Sequence, residues 1–226
     1  DVVCLQELKA QSETLSLEAF NLPGYEFYYH CAQKKGYSGV GIYTRHIPKA
    51  VHYGLGWPCA DEEGRYVQVD FEGLSIASIY FPSGTSGDAR QALKHEFISK
   101  YYSGYLATPP SEEMIICGDW NIAHRQIDLK NWRSNQRSSG FLPEERAWLD
   151  RCFDEAGWVD AFRMLNQLPE EYTWWTYRSQ ARSRNVGWRI DYQVVTPGLR
   201  SRIAHVKIDR SEVFSDHAPL VFDYDW

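Results

Sequence analysis

Met114-Ile115-Ile116-Cys117 is apolar at four consecutive positions, so a strand built from it has no polar face to turn to water. Pro109-Pro110 breaks the chain ahead of it, and Gly118-Asp119 ends it. A strand of this kind needs cover on both faces, which a layered fold supplies. Its neighbours say what the layers are made of. Short β-rich runs at Val2–Leu5, Tyr25–Cys31, Val40–Thr44, Tyr66–Phe71 and Leu74–Phe81 precede it, the last two joined by Glu72-Gly73 as a hairpin turn. Ile190–Thr196, Ile203–Ile208 and Leu220–Tyr224 follow it. Two stretches have helical spacing. Residues 88–106 carry Ala89, Leu93, Phe97, Tyr101 and Tyr105, with a cap expected near Ser86–Asp88; residues 144–156 start behind Pro143 and stop at Gly157. Strands outnumber helices, and both helices fall between strand groups. The pattern predicts an α/β sandwich with helices covering two packed sheets.

Composition narrows the class further. The 226 residues are 43% hydrophobic and 15% aromatic, which excludes a disordered chain and provides for one sizeable core. No repeat, linker or low-complexity tract divides the sequence, so one domain is expected over 1–226. No apolar run approaches the ~18 residues of a membrane span. Cys4, Cys31, Cys59, Cys117 and Cys152 form no Cys-x-x-Cys or zinc pattern, which favours a reduced, cytoplasmic protein. The chain opens at Asp1 and runs straight into Val2-Val3-Cys4-Leu5, so the expectation is that it starts inside a domain.

The formal net charge of −6 excludes a strongly basic nucleic-acid binder. The charge is unevenly spread, however. Residues 122–142, with Arg125, Asp128, Lys130, Arg133 and Arg137, carry +3, and residues 176–189, with Arg178, Arg182, Arg184 and Arg189, carry +4. The remainder therefore carries −13. Either basic stretch alone reads as a solvated loop. Interleaved with Trp132, Trp174, Trp175, Tyr177 and Trp188, they read as exposed aromatic rings beside arginines, suited to bases, sugars and phosphate.

Four polar clusters sit at strand-like ends: Leu5-Gln6-Glu7, Gly118-Asp119-Trp120-Asn121, Arg189-Ile190-Asp191-Tyr192 and Ser215-Asp216-His217-Ala218-Pro219. Strand ends in layered α/β folds converge on one edge. Glu7, Asp119, Asp191 and Asp216 cannot all ionise in one cleft without a cation, and an oxygen-rich set with one imidazole suits Mg²⁺ or Mn²⁺ better than zinc. Each cluster alone also has a plain reading. Asp191 behind Arg189 suits a structural ion pair, His217 suits a turn, and Tyr80 suits core packing.

The set as a whole resembles the exonuclease III family of AP endonucleases, within the DNase I-like endonuclease/exonuclease/phosphatase superfamily. The matching motifs are LQE (Leu5–Glu7), YFPSG (Tyr80–Gly84), GDWNIAH (Gly118–His124), DLKN (Asp128–Asn131), SGFLPEER (Ser139–Arg146), YTWWTY (Tyr172–Tyr177), NVGWRIDY (Asn185–Tyr192) and SDHAP (Ser215–Pro219). The resemblance is nearest to bacterial members. It implies a four-layer α-β-β-α sandwich of two mixed sheets flanked by helices. The family's upstream Asn-x-Asn-Gly strand is missing, so the chain is expected to lack the first strand and helix of the domain.

The resemblance also implies an activity and a set of roles. The activity is metal-dependent hydrolysis of DNA 5′ to abasic sites, with 3′-5′ exonuclease and 3′-phosphodiesterase side activities, on double-stranded DNA with abasic sites or 3′ ends. A monomer with no membrane partner is expected. Glu7 matches the metal-binding glutamate. Tyr80, Asp119, Asn121, Asp191 and His217 match catalytic positions. Asp216 is assigned to the metal or to orienting its neighbours, and Asp119, Asn121 and His217 stay open between catalyst and ligand. Trp174, Trp188 and Ile190 match an apolar pocket for the base-less sugar. Asn131, Asn135, Arg178 and Arg182 match DNA-backbone contacts. Two alternatives remain: a phosphatase of the same superfamily acting on a non-DNA phosphoester, and a catalytically inactive lesion-binding module.

Overall fold

A computed structural model describes all residues, 1–226. The chain forms two compact units, residues 1–81 with 110–119 and residues 82–109 with 120–226.

The first unit contains β1 (Val2–Gln6), α1 (Ser12–Leu15), β2 (Glu26–His30), β3 (Val40–Thr44), β4 (Ala50–Tyr53), α2 (Pro58–Asp61), β5 (Tyr66–Asp70), β6 (Leu74–Tyr80) and β7 (Glu113–Asp119). β3 is flanked by β1 and β2 in an antiparallel sheet. β4, β5 and β6 are antiparallel, and β7 runs parallel to β6. The two sheets pack through Val40, Ile42, Val67, Val69 and Ile76, all buried. Gln6 Nε2 donates to Ser78 Oγ at 2.9 Å, and Ser78 Oγ donates to the Leu5 carbonyl at 2.9 Å, fixing β1 on β6. The apolar run at 114–117 lies in β7, and Met114, Ile115 and Ile116 are buried as expected. The Glu72-Gly73 hairpin also forms, with Gly73 at φ +70°.

The second unit contains α3 (Asp88–Tyr101), α4 (Pro143–Asp150), β8 (Val159–Asp160), α5 (Ala161–Leu165), β9 (Asp191–Val195), β10 (Ile203–Ile208) and β11 (Leu220–Tyr224). β8 pairs with β9 and β10 with β11, both antiparallel. Trp120 packs between Trp148 and Tyr192, at centroid distances of 5.7 and 5.6 Å. Together the two units give the expected α/β class.

Several local expectations need correction. The helix read over 88–106 ends at Tyr101, and 102–106 form one wider π turn. The 144–156 helix likewise gives way to a π turn at 151–155. Buried indoles meet these segments: Trp148 Nε1 donates to the Ile98 carbonyl at 2.8 Å and Trp158 Nε1 to the Leu106 carbonyl at 2.9 Å. No side chain caps α3; its N-cap is Gly87 at φ +101°. β4 escapes the sequence pattern because it is a short, half-exposed strand that pairs with β5 alone, so it needs little apolar content.

The basic stretches are corrected too. Arg189 is no surface cation but is fully buried. Its Nε donates to Asp128 Oδ1 at 2.8 Å and its Nη2 to Asp160 Oδ2 at 2.7 Å. The plain reading of Asp191 as its partner therefore fails. Arg163 Nη2 donates to the same Asp128 oxygen at 2.7 Å. Trp175 is buried as well, with Nε1 donating to Asn185 Oδ1 at 3.0 Å.

Burial raises the Asp128 pKa, but attraction to Arg189 and Arg163 and their hydrogen bonds outweigh it and hold the carboxyl at about 2. The folded-state value is depressed, so this stabilisation is complete above the ordinary aspartate range and is lost as pH falls through about 2. Asp128→Asn leaves two guanidinium groups short of charge, and should cost about 3–5 kcal/mol in urea denaturation at pH 7. The variant should also lose this contribution to the acid limb of the stability curve; an unchanged acid limb contradicts the account.

Candidate active site

The first unit brings three of the expected site residues together. Tyr80 and Asp119 are register partners at the C-terminal ends of the parallel strands β6 and β7. Gly118 is obligatory at this crossing, since a Cβ there would lie 1.9 Å from the Ile79 carbonyl oxygen. Glu7 follows β1 in a left-handed conformation at φ +55°, which a side-chain-bearing residue rarely adopts. The Tyr80 hydroxyl donates to Glu7 Oε1, and Lys9 pairs with Oε2. Beneath the ring lies buried Arg65, its guanidinium 4.8 Å from the centroid and its Nη1 donating to the Tyr80 carbonyl at 2.8 Å. Burial, then the negative charges of Asp119 and Glu7, push the Tyr80 phenol far above its ordinary pKa. Tyr80 therefore remains a proton donor across the working pH range, and core packing does not account for its hydroxyl.

The second unit assembles the remaining groups from three irregular segments. Thr173 organises them. Its Oγ1 accepts the Ile190 and Asp191 N–H groups at 3.1 and 3.2 Å, and its carbonyl accepts the Ala218 N–H at 2.7 Å. The segments at 173–174, 188–191 and 216–218 thereby align, with the Trp175 N–H donating to the Asp216 carbonyl at 3.0 Å. This alignment sets Asp191 Oδ2 2.9 Å from His217 Nδ1. With the proton on Nδ1, the carboxylate accepts it, which fixes the ring's tautomer. Trp174 Nε1 donates to Asp216 Oδ2 at 3.0 Å. Asn121 follows Trp120, whose N–H donates to the Ile190 carbonyl at 2.9 Å, and it is left-handed at φ +52°.

The expected pocket residues also meet. Ile190 is buried with Ala123, Leu129 and Phe141, and Trp132, Trp174 and Trp188 pack on this cluster. Phe141 meets the Trp188 ring edge-on at 6.5 Å. Sequence alone does not reveal Thr173 as the tie between these segments or Phe141 as part of this cluster, although both lie inside the motifs named above. Their role comes from tertiary contact, which spacing does not reveal.

The expected DNA contacts are less uniform. Asn131 and Arg178 are exposed. Asn135 is half-buried, with Nδ2 donating to the Asn131 carbonyl at 2.8 Å. Arg182 is half-buried. Its guanidinium lies 4.8 Å from the Trp175 centroid, and Nη1 donates to the Ser215 carbonyl at 2.8 Å, so it braces the loop before Asp216.

Glu7 and Asp119 in the first unit, and Asp191 and Asp216 in the second, supply carboxylate oxygens of the type that ligate hard divalent cations. No helix is long and apolar enough to cross a membrane.

Thr173→Val removes the acceptor shared by two backbone N–H groups and should cost about 1–3 kcal/mol for each one left unpaired. Thr173→Ser keeps the oxygen and should lose only about 1 kcal/mol, for one methyl group. Thermal or urea denaturation of the two variants checks the difference; equal losses contradict this role for Oγ1.

The chain is similar to known proteins in both sequence and fold. Residues 1–217 match the Endonuclease/Exonuclease/phosphatase family. The chain is 38% identical over 221 residues to an exodeoxyribonuclease of Bacillus subtilis (strain 168), covering 97% of this chain and 86% of that protein. It is 37% identical over 229 residues to the DNA repair nuclease APEX1 of Danio rerio, covering 97% and 72%. Among solved structures, an AP endonuclease from Archaeoglobus fulgidus superposes with a TM-score of 0.89 at 26% identity, over 100% of this chain and 89% of that one. The 3′ phosphatase NExo from Neisseria, bound to product DNA hairpin, does so with a TM-score of 0.89 at 25% identity, over 100% and 89%. The match along residues 1–217 and the identity to full-length relatives establish that this chain belongs to the Endonuclease/Exonuclease/phosphatase family.

Proposed function

We propose that this protein is a DNA-repair phosphodiesterase that hydrolyses the backbone 5′ to abasic sites, with 3′-end processing as a second activity. The observation that carries this reading is Trp174. Its ring packs on the apolar cluster with Trp188 and Ile190, while its indole N–H holds the carboxylate of Asp216, the neighbour of His217. A group that limits the size of the bound sugar is thus bonded to the segment that carries the imidazole. A base-less nucleotide is cheap to extrude, because no base is unstacked, and a small apolar pocket excludes an intact one. The relatives named exodeoxyribonuclease and DNA repair nuclease support DNA as the substrate.

The chemistry is assigned as follows. Asp119 accepts a proton from the attacking water, and Asn121 orients that water or donates to a phosphate oxygen. Asp191 holds the His217 ring in one tautomer, leaving Nε2 for the phosphate. Tyr80, kept protonated, donates to a phosphate oxygen as charge builds there. The bond from phosphorus to the 3′ oxygen breaks, that oxygen leaves as a 3′-hydroxyl, and the phosphate remains on the 5′ side of the abasic sugar. The oxygen-rich donor set, without sulfur, fits Mg²⁺ or Mn²⁺. Glu7 would hold the ion, with Asp119, Asn121, Asp216 or His217 as further ligands. When bound, it supplies positive charge against the phosphate. Asn131, Asn135 and Arg178 contact the DNA backbone, and Arg182 supports them through Ser215. The protein works as a monomer.

The test is cleavage of a duplex with one tetrahydrofuran site. The wild type should cut it in Mg²⁺ and not in EDTA, and Asp119→Ala should lower kcat by on the order of 10²–10⁴-fold. A folded protein that binds this duplex equally well in EDTA without turnover is a lesion-binding module instead. Phosphate release from inositol phosphates without DNA cleavage would move the substrate class.

A further inference from the structure

Lys94 on α3 is fully buried, and the chemistry above gives it no role. Its Nζ lies 2.6 Å from Oε1 of Glu145, a residue that is also fully buried. The same ammonium donates to the backbone carbonyl of Asn121 at 2.8 Å. Glu145 in turn accepts the N–H groups of Gly140 and Leu142 on Oε2, at 2.7 and 3.1 Å, and Gln91 Nε2 on Oε1 at 3.0 Å. The Gly140 carbonyl closes the circuit by accepting the Ala123 N–H at 2.7 Å. Gly140 sits at φ +91°, and a Cβ there would lie 3.0 Å from the Asn121 oxygen and 3.3 Å from Trp188 Cζ3.

Asn121 is where this circuit has its use. A left-handed asparagine between the strand end and Ile122 needs outside contacts to hold it. Two buried charges are a poor way to gain stability, since an apolar pair of the same volume often does as well. They are a good way to aim a carbonyl, because a charged donor with a buried counter-ion has little angular freedom. The same glutamate fixes Gly140 beside the Trp188 ring.

We infer that Lys94 and Glu145 are a positioning pair that holds Asn121 in its working orientation and the 140–142 segment against the pocket. They set the turnover rate without touching DNA. This rests on the role proposed above for Asn121.

The test is the double variant Lys94→Met/Glu145→Gln. It removes both charges at nearly constant volume and leaves an amide oxygen to accept the Gly140 N–H. Three quantities are read: the thermal midpoint, kcat and KM on the tetrahydrofuran duplex, and backbone hydrogen exchange at Ala123 and Gly140. The midpoint and KM should stay at wild-type values while kcat falls about 10- to 100-fold. Exchange at Ala123 should quicken, with Gly140 less affected. Unchanged kcat overturns the inference, and so does a fall in kcat with exchange unchanged at Ala123. Should the double variant not fold, Glu145→Gln alone, which keeps one acceptor oxygen for the Gly140 and Leu142 N–H groups and removes the charge that Lys94 faces, is read in the same way. A wild type that cuts no DNA defeats the proposed function, and the exchange measurement still decides whether the pair holds Asn121.

Discussion

The carboxylate of Asp128 is the interaction on which the second unit depends. It lies buried in the 122–142 segment and is gripped by Arg189 and Arg163, with Asp160 completing a neutral set of two cations and two anions. Backbone bonds add to the tie, with the Arg189 N–H on the Asp128 carbonyl at 2.7 Å and the Lys130 N–H on the Gly187 carbonyl at 3.2 Å. Trp188 and Ile190 flank Arg189 in sequence, so the residue that neutralises Asp128 also fixes two members of the apolar cluster. Guanidinium forks are directional in a way that apolar packing is not. Two segments almost without regular secondary structure are thereby held in one arrangement, as an irregular binding site requires.

Much of the fold was legible because its strands carry their own burial pattern. The strand at 40–44, buried at every position, and the apolar run before Gly118 read directly as interior strands. The half-exposed edge at 50–53 did not, because an edge strand needs only one apolar partner. Helix starts were clearer than helix ends. Pro143 marks one start, whereas the π turns at 102–106 and 151–155 keep helical composition and differ only in hydrogen-bond step.

The candidate site was legible as motifs and illegible as a mechanism of support. Glu7, Tyr80 and Asp119, and likewise Asp191 and His217, stand out as residue types at strand ends. Thr173, Lys94 and Glu145 do not, since a threonine or an ion pair on a helix face reads as surface. They are buried here, and their hydrogen bonds cross long stretches of sequence. Charge counting misled for the same reason. Arg189 counts toward a basic loop in sequence, yet its charge is spent on Asp128 and Asp160.

The central claim is that an apolar pocket of Trp174, Trp188 and Ile190, bonded to the Asp216–His217 segment, selects a nucleotide without a base. The most direct measurement compares kcat/KM on two duplexes in Mg²⁺ that differ only at one position, tetrahydrofuran in one and an intact nucleotide in the other. The account predicts cleavage 5′ to the tetrahydrofuran at a rate orders of magnitude above cleavage at the intact position. Equal rates on the two duplexes would contradict it.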